Sequence, residues 1–394
     1  MNASLSKKCI YALMFGYLML SPVYLFPSGL PQPADFMLAL AVLIWLGRGR
    51  YVIHRELRGF VIAGAVFVIN ALLVSILWTL YLQDLDTIRG GIYYLYNFAA
   101  ALLFCSMFAE DRFKTLQILA RGLLAGICVA FLAQLVLFDP LVPRQTGLFN
   151  NPNQLGYFGL LATCGLLVCA RIKALGSLAS SIGVAFGVVV TLMSFSLTAI
   201  GALGFVFLAF AAFFLKSRQH AMVTTLLIAL PVIGLGLYGM PERAEYFIER
   251  SEARIAVIDR KTEGAADQRN YSRIQEFPEY VMFGAAERGF WRFEEDATTE
   301  IHSTPATVLF SYGVIGFVSF MAMLVLSGRR GEFGYWMLIA APMAYSMTHM
   351  GLRFTLFWLL IALVASVTVS DLSRPVVRNG EKTHLKPDMR PAGV

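Results

Sequence analysis

Three clusters of polar residues in this chain have the types and spacing that act on a hydroxyl or a diphosphate. The first is EIHSTPATVLFSYGVIGF, beginning at Glu300, in which His302 immediately precedes Ser303, Thr304 and Pro305. Ser or Thr caps a helix and Pro suits its first turn, so His302 lies at the positive end of a helix dipole. That position disfavours imidazolium and attracts phosphate, and a neutral imidazole that titrates near neutrality is what a general base needs. The alternative is a structural loop histidine. In the second, QRNYSRIQEF, Arg269 and Arg273 are four residues apart, so a helix there puts both guanidinium groups on one face until Pro278 ends it. Such a pair suits a diphosphate; Glu276, Glu279 or lipid headgroups are the other available partners. The third is DPLVPRQTGLFNNPNQLGYF, residues 139–158, where Arg144 stands near Asn150, Asn151, Asn153 and Gln154. A fixed cation and amides can cradle a sugar phosphate, and Asn-Pro-Asn can equally supply ordinary helix capping.

These clusters must be held by elements that are mostly apolar. Of 394 residues, 58% are hydrophobic and 14% charged, with repeated apolar runs of about 18–22 residues, the length of a bilayer-crossing helix. The expected fold is all-α, a polytopic integral membrane protein of twelve spans. They fall near 9–28, 34–47, 59–82, 91–108, 118–138, 152–170, 179–195, 197–215, 221–239, 305–327, 335–350 and 352–370. The second is short and the seventh and eighth almost touch, so eleven or thirteen are the neighbouring counts. Lys7 and Lys8 precede an apolar stretch that runs to Phe26 without a small-residue cleavage site, which reads as a first span rather than a cleaved signal. The spans form one transmembrane domain, 1–370, interrupted by a polar loop at 241–304. That loop holds nine Lys/Arg and fourteen Asp/Glu. A tail at 371–394, rich in Pro and charge, is expected to be disordered.

Charge bias sets the expected orientation. With the N-terminus inside, the cytoplasmic segments carry 20 Lys/Arg, while the short loops of the opposite side carry only Arg89, Arg144 and Arg353. Both termini are therefore expected in the cytoplasm and the long loop outside. The net charge of +7 is then a topology signal, not a nucleic-acid footprint. The five cysteines fall in spans or near cytoplasmic ends and offer neither a disulfide framework nor a CxxC metal site. His54, His220 and His384 lie on the cytoplasmic side, and His349 is expected to pack at the outer end of the eleventh span. Within the long loop, ERAEYFIERSEARIAVIDRK has the pattern of a helix lying along the membrane surface.

At these residues the chain resembles the bacterial O-antigen ligase and polysaccharide polymerase superfamily. The resemblance rests on TGLFNNPNQLGYF after Arg144, the outer loop between spans nine and ten, and His-Ser followed by a helix carrying FSYGVIG. It covers about 140–320 in motif and the whole chain in topology. It implies an inner-membrane, lipid-dependent glycosyltransferase fold, an undecaprenyl diphosphate-linked glycan donor, and no metal or other cofactor. It also implies that Arg144 and His302 are tied to activity and that Arg269 and Arg273 are the loop arginines. One departure stands out: in MSFSLTAIGAL, Leu197 occupies the place where many members have arginine. The task of that arginine must pass to Arg269, Arg273, Arg288 or Arg292.

Transfer from a diphosphate lipid requires a base for the acceptor hydroxyl and positive charge on the departing diphosphate, and arginine binds phosphate bidentately without deprotonating. The acidic run FEEDATTE at 293–300 lacks a spaced histidine and reads as a solvated turn rather than a metal site. The alternatives in other classes are a lipid-linked glycan flippase, a polytopic transporter, or a scaffold for polysaccharide export. A transporter is expected to hold ionisable groups near the midplane, where this chain offers Asn70, Asn97 and Gln134. Polymerase and ligase differ in acceptor, another lipid-linked repeat or the lipid A core, with polymerase slightly favoured by the HST sequence.

Overall fold

The computed structural model describes residues 3–215, 245–246, 248–253, 270–293 and 300–369. Among these residues it is all-helical, without a strand. The helices run in the order α1 Ala3–Leu20, α2 Pro33–Gly47, α3 Arg58–Leu82, α4 Arg89–Glu110, α5 Arg112–Val136, α6 Pro152–Arg171, α7 Ser177–Met193 and α8 Leu197–Phe210. After the long loop's short helices α9 Arg273–Glu276 and α10 Tyr280–Phe283 come α11 Thr304–Gly328, α12 Phe333–Ser346 and α13 Thr355–Val369. Among the described residues, six helical stretches are long and apolar enough to cross a membrane: Arg55–Leu82, Leu85–Glu110, Arg112–Val136, Pro152–Arg171, Leu197–Leu215 and Thr304–Gly328. Pro33–Gly47, Ser177–Met193 and Thr355–Val369 are shorter apolar helices.

Most helix limits follow the apolar runs, with instructive departures. The first helix ends at Leu20, not near residue 28, because Pro22 and Pro27 lack the N–H a continuing helix requires and bias the residues before them toward extended conformations. The expected ninth span at 221–239 and the tail 371–394 lie outside the described residues. So does most of the expected surface helix; residues 248–253 of it are helical.

At the centre stand α6 and α13. Every residue from Leu155 to Ala170 in α6 and from Thr355 to Val367 in α13 is buried, as expected of helices that are apolar all round. The other helices pack about this pair, and their ends gather at two faces. At one, Arg48 Nη2 lies 2.8 Å from Glu110 Oε2, Lys7 reaches Glu110 and Asp111 at 3.7 and 3.8 Å, and Arg171 meets Glu332 at 3.2 Å. At the other, Asn150 Nδ2 donates to Phe26 O at 2.8 Å, Tyr345 OH to Asn153 O at 3.0 Å, and Thr348 Oγ1 to Thr198 Oγ1 at 2.9 Å. The described part of the long loop packs on this second end.

One helix is broken on purpose of packing. Within α11, Gly313 adopts φ 68° and ψ −174°, which interrupts the ladder and frees carbonyls of the preceding turn. Ala285 N donates to Phe310 O at 2.9 Å, Ala286 N to Ser311 O at 2.8 Å, and Asn70 Nδ2 to Tyr312 O at 2.7 Å. The loop segment 284–286 thus completes the broken helix. A Cβ on Gly313 would collide with the Met282 carbonyl, and one on Gly284, φ 94°, with that of Ser311. The FSYGVIG sequence, in structural terms, is the seat of this insertion.

Candidate functional site

The inserted loop delivers Glu287 and Arg288 to the second end of the bundle. Glu287 is 4% exposed, and its Oε2 accepts from Arg353 Nε at 3.1 Å and from Arg353 Nη2; its Oε1 accepts from Tyr94 OH on α4. Arg353, in the turn between α12 and α13, also donates to Glu300 Oε1 at 3.1 Å and Oε2 at 2.6 Å. Its own carbonyl accepts from Asn97 Nδ2 at 3.3 Å, and Asn97 Oδ1 accepts from Thr355 Oγ1 at 2.6 Å. The Arg353 guanidinium therefore joins the loop to the approach to α11, and its backbone carbonyl, through Asn97, adds α4 and α13.

Electrostatics follow from this enclosure. Burial alone pushes the Glu300 carboxyl up, but the charge and hydrogen bonds of Arg353, together with Arg288 and His302, outweigh it and hold the carboxyl below its ordinary 4.5. For Arg353, burial favours loss of the proton, and Glu287 and Glu300 more than reverse that, so the guanidinium stays charged. The three groups form a charge-assisted network of the kind that is costly to break from one side.

His302 lies at the solvent edge of this network. It is exposed and directly precedes Ser303, whose Oγ accepts from Ala306 N at 3.4 Å and caps α11, with Pro305 in the first turn. Tyr271 OH, which donates to Met347 O at 2.7 Å, holds the neighbouring backbone against the turn after α12. Arg288 is half-buried at φ 72°, beside Gly29: a Cβ there would lie 3.8 Å from Arg288 Nη2. Among the described residues its guanidinium makes no hydrogen bond or ion pair, although Glu300 feels its charge.

Arg292, four residues on, is committed to the fold. Its Nη2 donates to Ala285 O at 2.6 Å and Arg288 O at 3.2 Å, its Nε to Gly289 O at 3.0 Å, and its guanidinium lies 4.3 Å from the Trp78 ring centroid. Burial pushes its pKa down. Arg273 is buried, 5.0 Å from the Phe293 ring and 5.7 Å from that of Phe290, and lines a small cavity of about 10 Å³ with Glu287, Glu300 and Thr307. The helix expected to carry Arg269 and Arg273 on one face is not formed: Asn270 is left-handed at φ 56°, and α9 begins only at Arg273. Arg269 lies outside the described residues.

Arg144 forms a second cluster at the same end. Its Nη2 donates to Asn153 Oδ1 at 2.7 Å and its Nε to Ser194 O at 3.1 Å. Ser194 opens the tight turn to α8, where Phe195 is left-handed at φ 49° and Leu197 is the first helical residue. Arg144 thus places a guanidinium beside the start of α8, where Leu197 stands. Asn151 caps α6, accepting from Gln154 N at 2.9 Å. Asn150 and Gln154 tie down the α1–α2 connection through Phe26 O and Ser28 Oγ. His349 stacks 4.6 Å from Tyr345 and shares a 2.8 Å hydrogen bond between Nδ1 and Thr348 Oγ1.

The α12–α13 turn links the two clusters. Tyr345 holds Asn153, and the His349 carbonyl accepts from Thr304 Oγ1 at 3.1 Å. The structure thus brings together His302, Arg288, Arg353, Glu287 and Glu300, with Arg144 and Asn153 adjacent through this turn. Arg353 and its two carboxylates were not singled out by the sequence reading; a lone arginine between two apolar spans was the available signal. Compared with known proteins, the chain matches no family model and no curated protein.

Proposed function

We propose that the chain is a twelve-span glycosyltransferase of the bacterial inner membrane, with both termini cytoplasmic. It transfers or polymerises an undecaprenyl diphosphate-linked glycan on the periplasmic face, in O-antigen, capsule or exopolysaccharide assembly. The observation that supports this reading most is an exposed imidazole, His302, and the Arg288 guanidinium, without a hydrogen bond or ion pair among the described residues, both acting on the Glu300 carboxylate at a single end of an apolar bundle. A general base and a phosphate-binding cation are the two groups that inverting transfer from a diphosphate donor requires.

In this mechanism the acceptor oxygen attacks the anomeric carbon as its proton passes to His302. The bond from that carbon to the diphosphate breaks, and the electron pair remains on the departing diphosphate. Arg288 binds that charge with its planar fork, assisted by Arg269 and by Arg144 from the neighbouring cluster. Glu300 and Arg353 hold the backbone from which the base projects. No metal or other cofactor enters this chemistry, and the partners are the lipid-linked donor, a glycan or lipid A core acceptor and membrane lipid. The test is the glycan phenotype of a deletion strain. Loss of long chains with one repeat still attached means polymerase, accumulation of full-length lipid-linked chains with bare core means ligase, and donor trapped on the cytoplasmic side overturns the reading in favour of a flippase.

A further inference from the structure

The exposed face of the inserted loop is apolar where a solvated loop would be polar. Met282 is 59% exposed, Phe283 78% and Trp291 60%, whereas the exposed residues just before them are Gln275, Glu276, Pro278 and Glu279. Polarity therefore falls along the chain from α9 to α10. The depth of this segment against its neighbours explains the change. Gly289 lies beside Leu82, the last residue of α3, and the Gly284 carbonyl accepts from Trp78 Nε1 at 2.9 Å, one helical turn or roughly 6 Å further in. Met282 O packs on Gly313, nine residues or roughly 13 Å inside α11 measured from Thr304. Both α3 and α11 are long and apolar enough to cross a membrane, so α10 lies below their ends.

The surface beside the patch has an occupant set by the same helices. On α3 the exposed residues Ile62, Val66, Ile69, Leu73, Leu77 and Leu80 recur every three or four positions, an outward stripe that only hydrocarbon covers if the helix spans a bilayer. Tyr81, exposed at the end of that stripe, and Trp291 stand at the level where aromatic residues mark the interface. Irregular backbone is tolerated at such depth only where protein satisfies its polar groups. Six groups of the segment meet that condition: the amides of Ala285 and Ala286 and the carbonyls of Gly284, Ala285, Arg288 and Gly289 are paired within the protein.

We infer that residues 280–293 form a re-entrant segment whose outer face, Met282, Phe283 and Trp291, rests in the lipid of the leaflet on this side. The inference goes beyond the proposed reaction and stands on the membrane character of α3 and α11 alone. Its test uses the wild-type chain in vesicles of phosphatidylethanolamine and phosphatidylglycerol that contain a lipid with a diazirine in its acyl tail. After photolysis, mass spectrometry should find lipid adducts on Met282 and Phe283, as on the α3 peptide carrying Leu73 and Leu77, and none on 275–279. A parallel sample with a water-soluble diazirine should show the reverse. Labelling of Met282 and Phe283 from water would overturn the proposal. Protection from both reagents would also overturn it, because a protein surface rather than lipid would then cover the patch.

Discussion

Two ion-pair arrangements at opposite ends of the bundle, Arg171 with Glu332 and Arg353 with its two carboxylates, use the same ionic residues in different ways. At the first, Arg171 meets Glu332 at 3.2 Å, with the glutamate side chain 55% exposed, and the pair joins two neighbouring helix termini. At the second, Arg353 is enclosed by Glu287 and Glu300 and ties together segments 53 and 66 residues distant in the chain. The first arrangement leaves water able to replace either partner. The second leaves Glu287 nowhere else to turn, so its geometry is specified. A side chain that must keep one position needs the second kind.

The contrast is sharpest under truncation. Arg353→Ala strands a buried carboxylate and is expected to cost about 3–5 kcal/mol of stability, while Arg171→Ala is expected to cost no more than about 1 kcal/mol. Denaturant unfolding of the two variants in detergent measures both, and equal losses would erase the distinction. Within the second end, Arg288 and Arg292 offer a finer comparison. Arg288→Lys should weaken transfer by about 1–3 kcal/mol through loss of the bidentate fork, with stability unchanged. Arg292→Lys should instead lower stability, since a single ammonium cannot span the Ala285, Arg288 and Gly289 carbonyls as the planar fork does. Thermal unfolding beside transfer rates separates the two, and an inactive yet stable Arg292→Lys variant would reverse their assigned roles.

Smaller effects distinguish the broken helix from an ordinary one. Gly313→Ala forces a left-handed alanine, about 1–2 kcal/mol before any collision with Met282 O. Gly204→Ala, in α8 with nothing near its Cβ position, should gain up to about 1 kcal/mol. Unfolding midpoints that move in the same direction for both would remove the break from the account. The pH dependence is the mildest test. Glu300 has its folded pKa held below 4.5, so it binds its proton more readily when unfolded; its contribution is complete above pH 4.5 and is lost as pH falls through the lower folded value. Stability measured across that acid window should decline, and Glu300→Gln should flatten the decline.

How much of this was legible depends on range. Apolar runs gave the helices, and local capping was readable at Asn151 and Ser303, because each cap partner lies three residues away. Pro22 shortened α1 by rules that also lie in the sequence. The break at Gly313 was not readable, since nothing local distinguishes it from Gly316 in the same helix; its cause is the approach of Met282 from a distant loop. Arg353 was hidden for the same reason, its partners standing in a loop whose charges looked solvated. The paired arginine helix failed at Asn270, a residue that tolerates the left-handed region where most side chains do not.

The central claim is that His302 takes the acceptor's proton. It is tested most directly with the purified His302→Gln variant, which keeps a hydrogen-bonding side chain without the proton acceptor, in proteoliposomes with an undecaprenyl diphosphate-linked donor between about pH 5.5 and 8, the range of histidine titration. Transfer should fall by about 10²–10⁴-fold, with the wild-type pH dependence in this range lost. Wild-type rates throughout that range would contradict it and return His302 to the role of a residue preceding a helix cap.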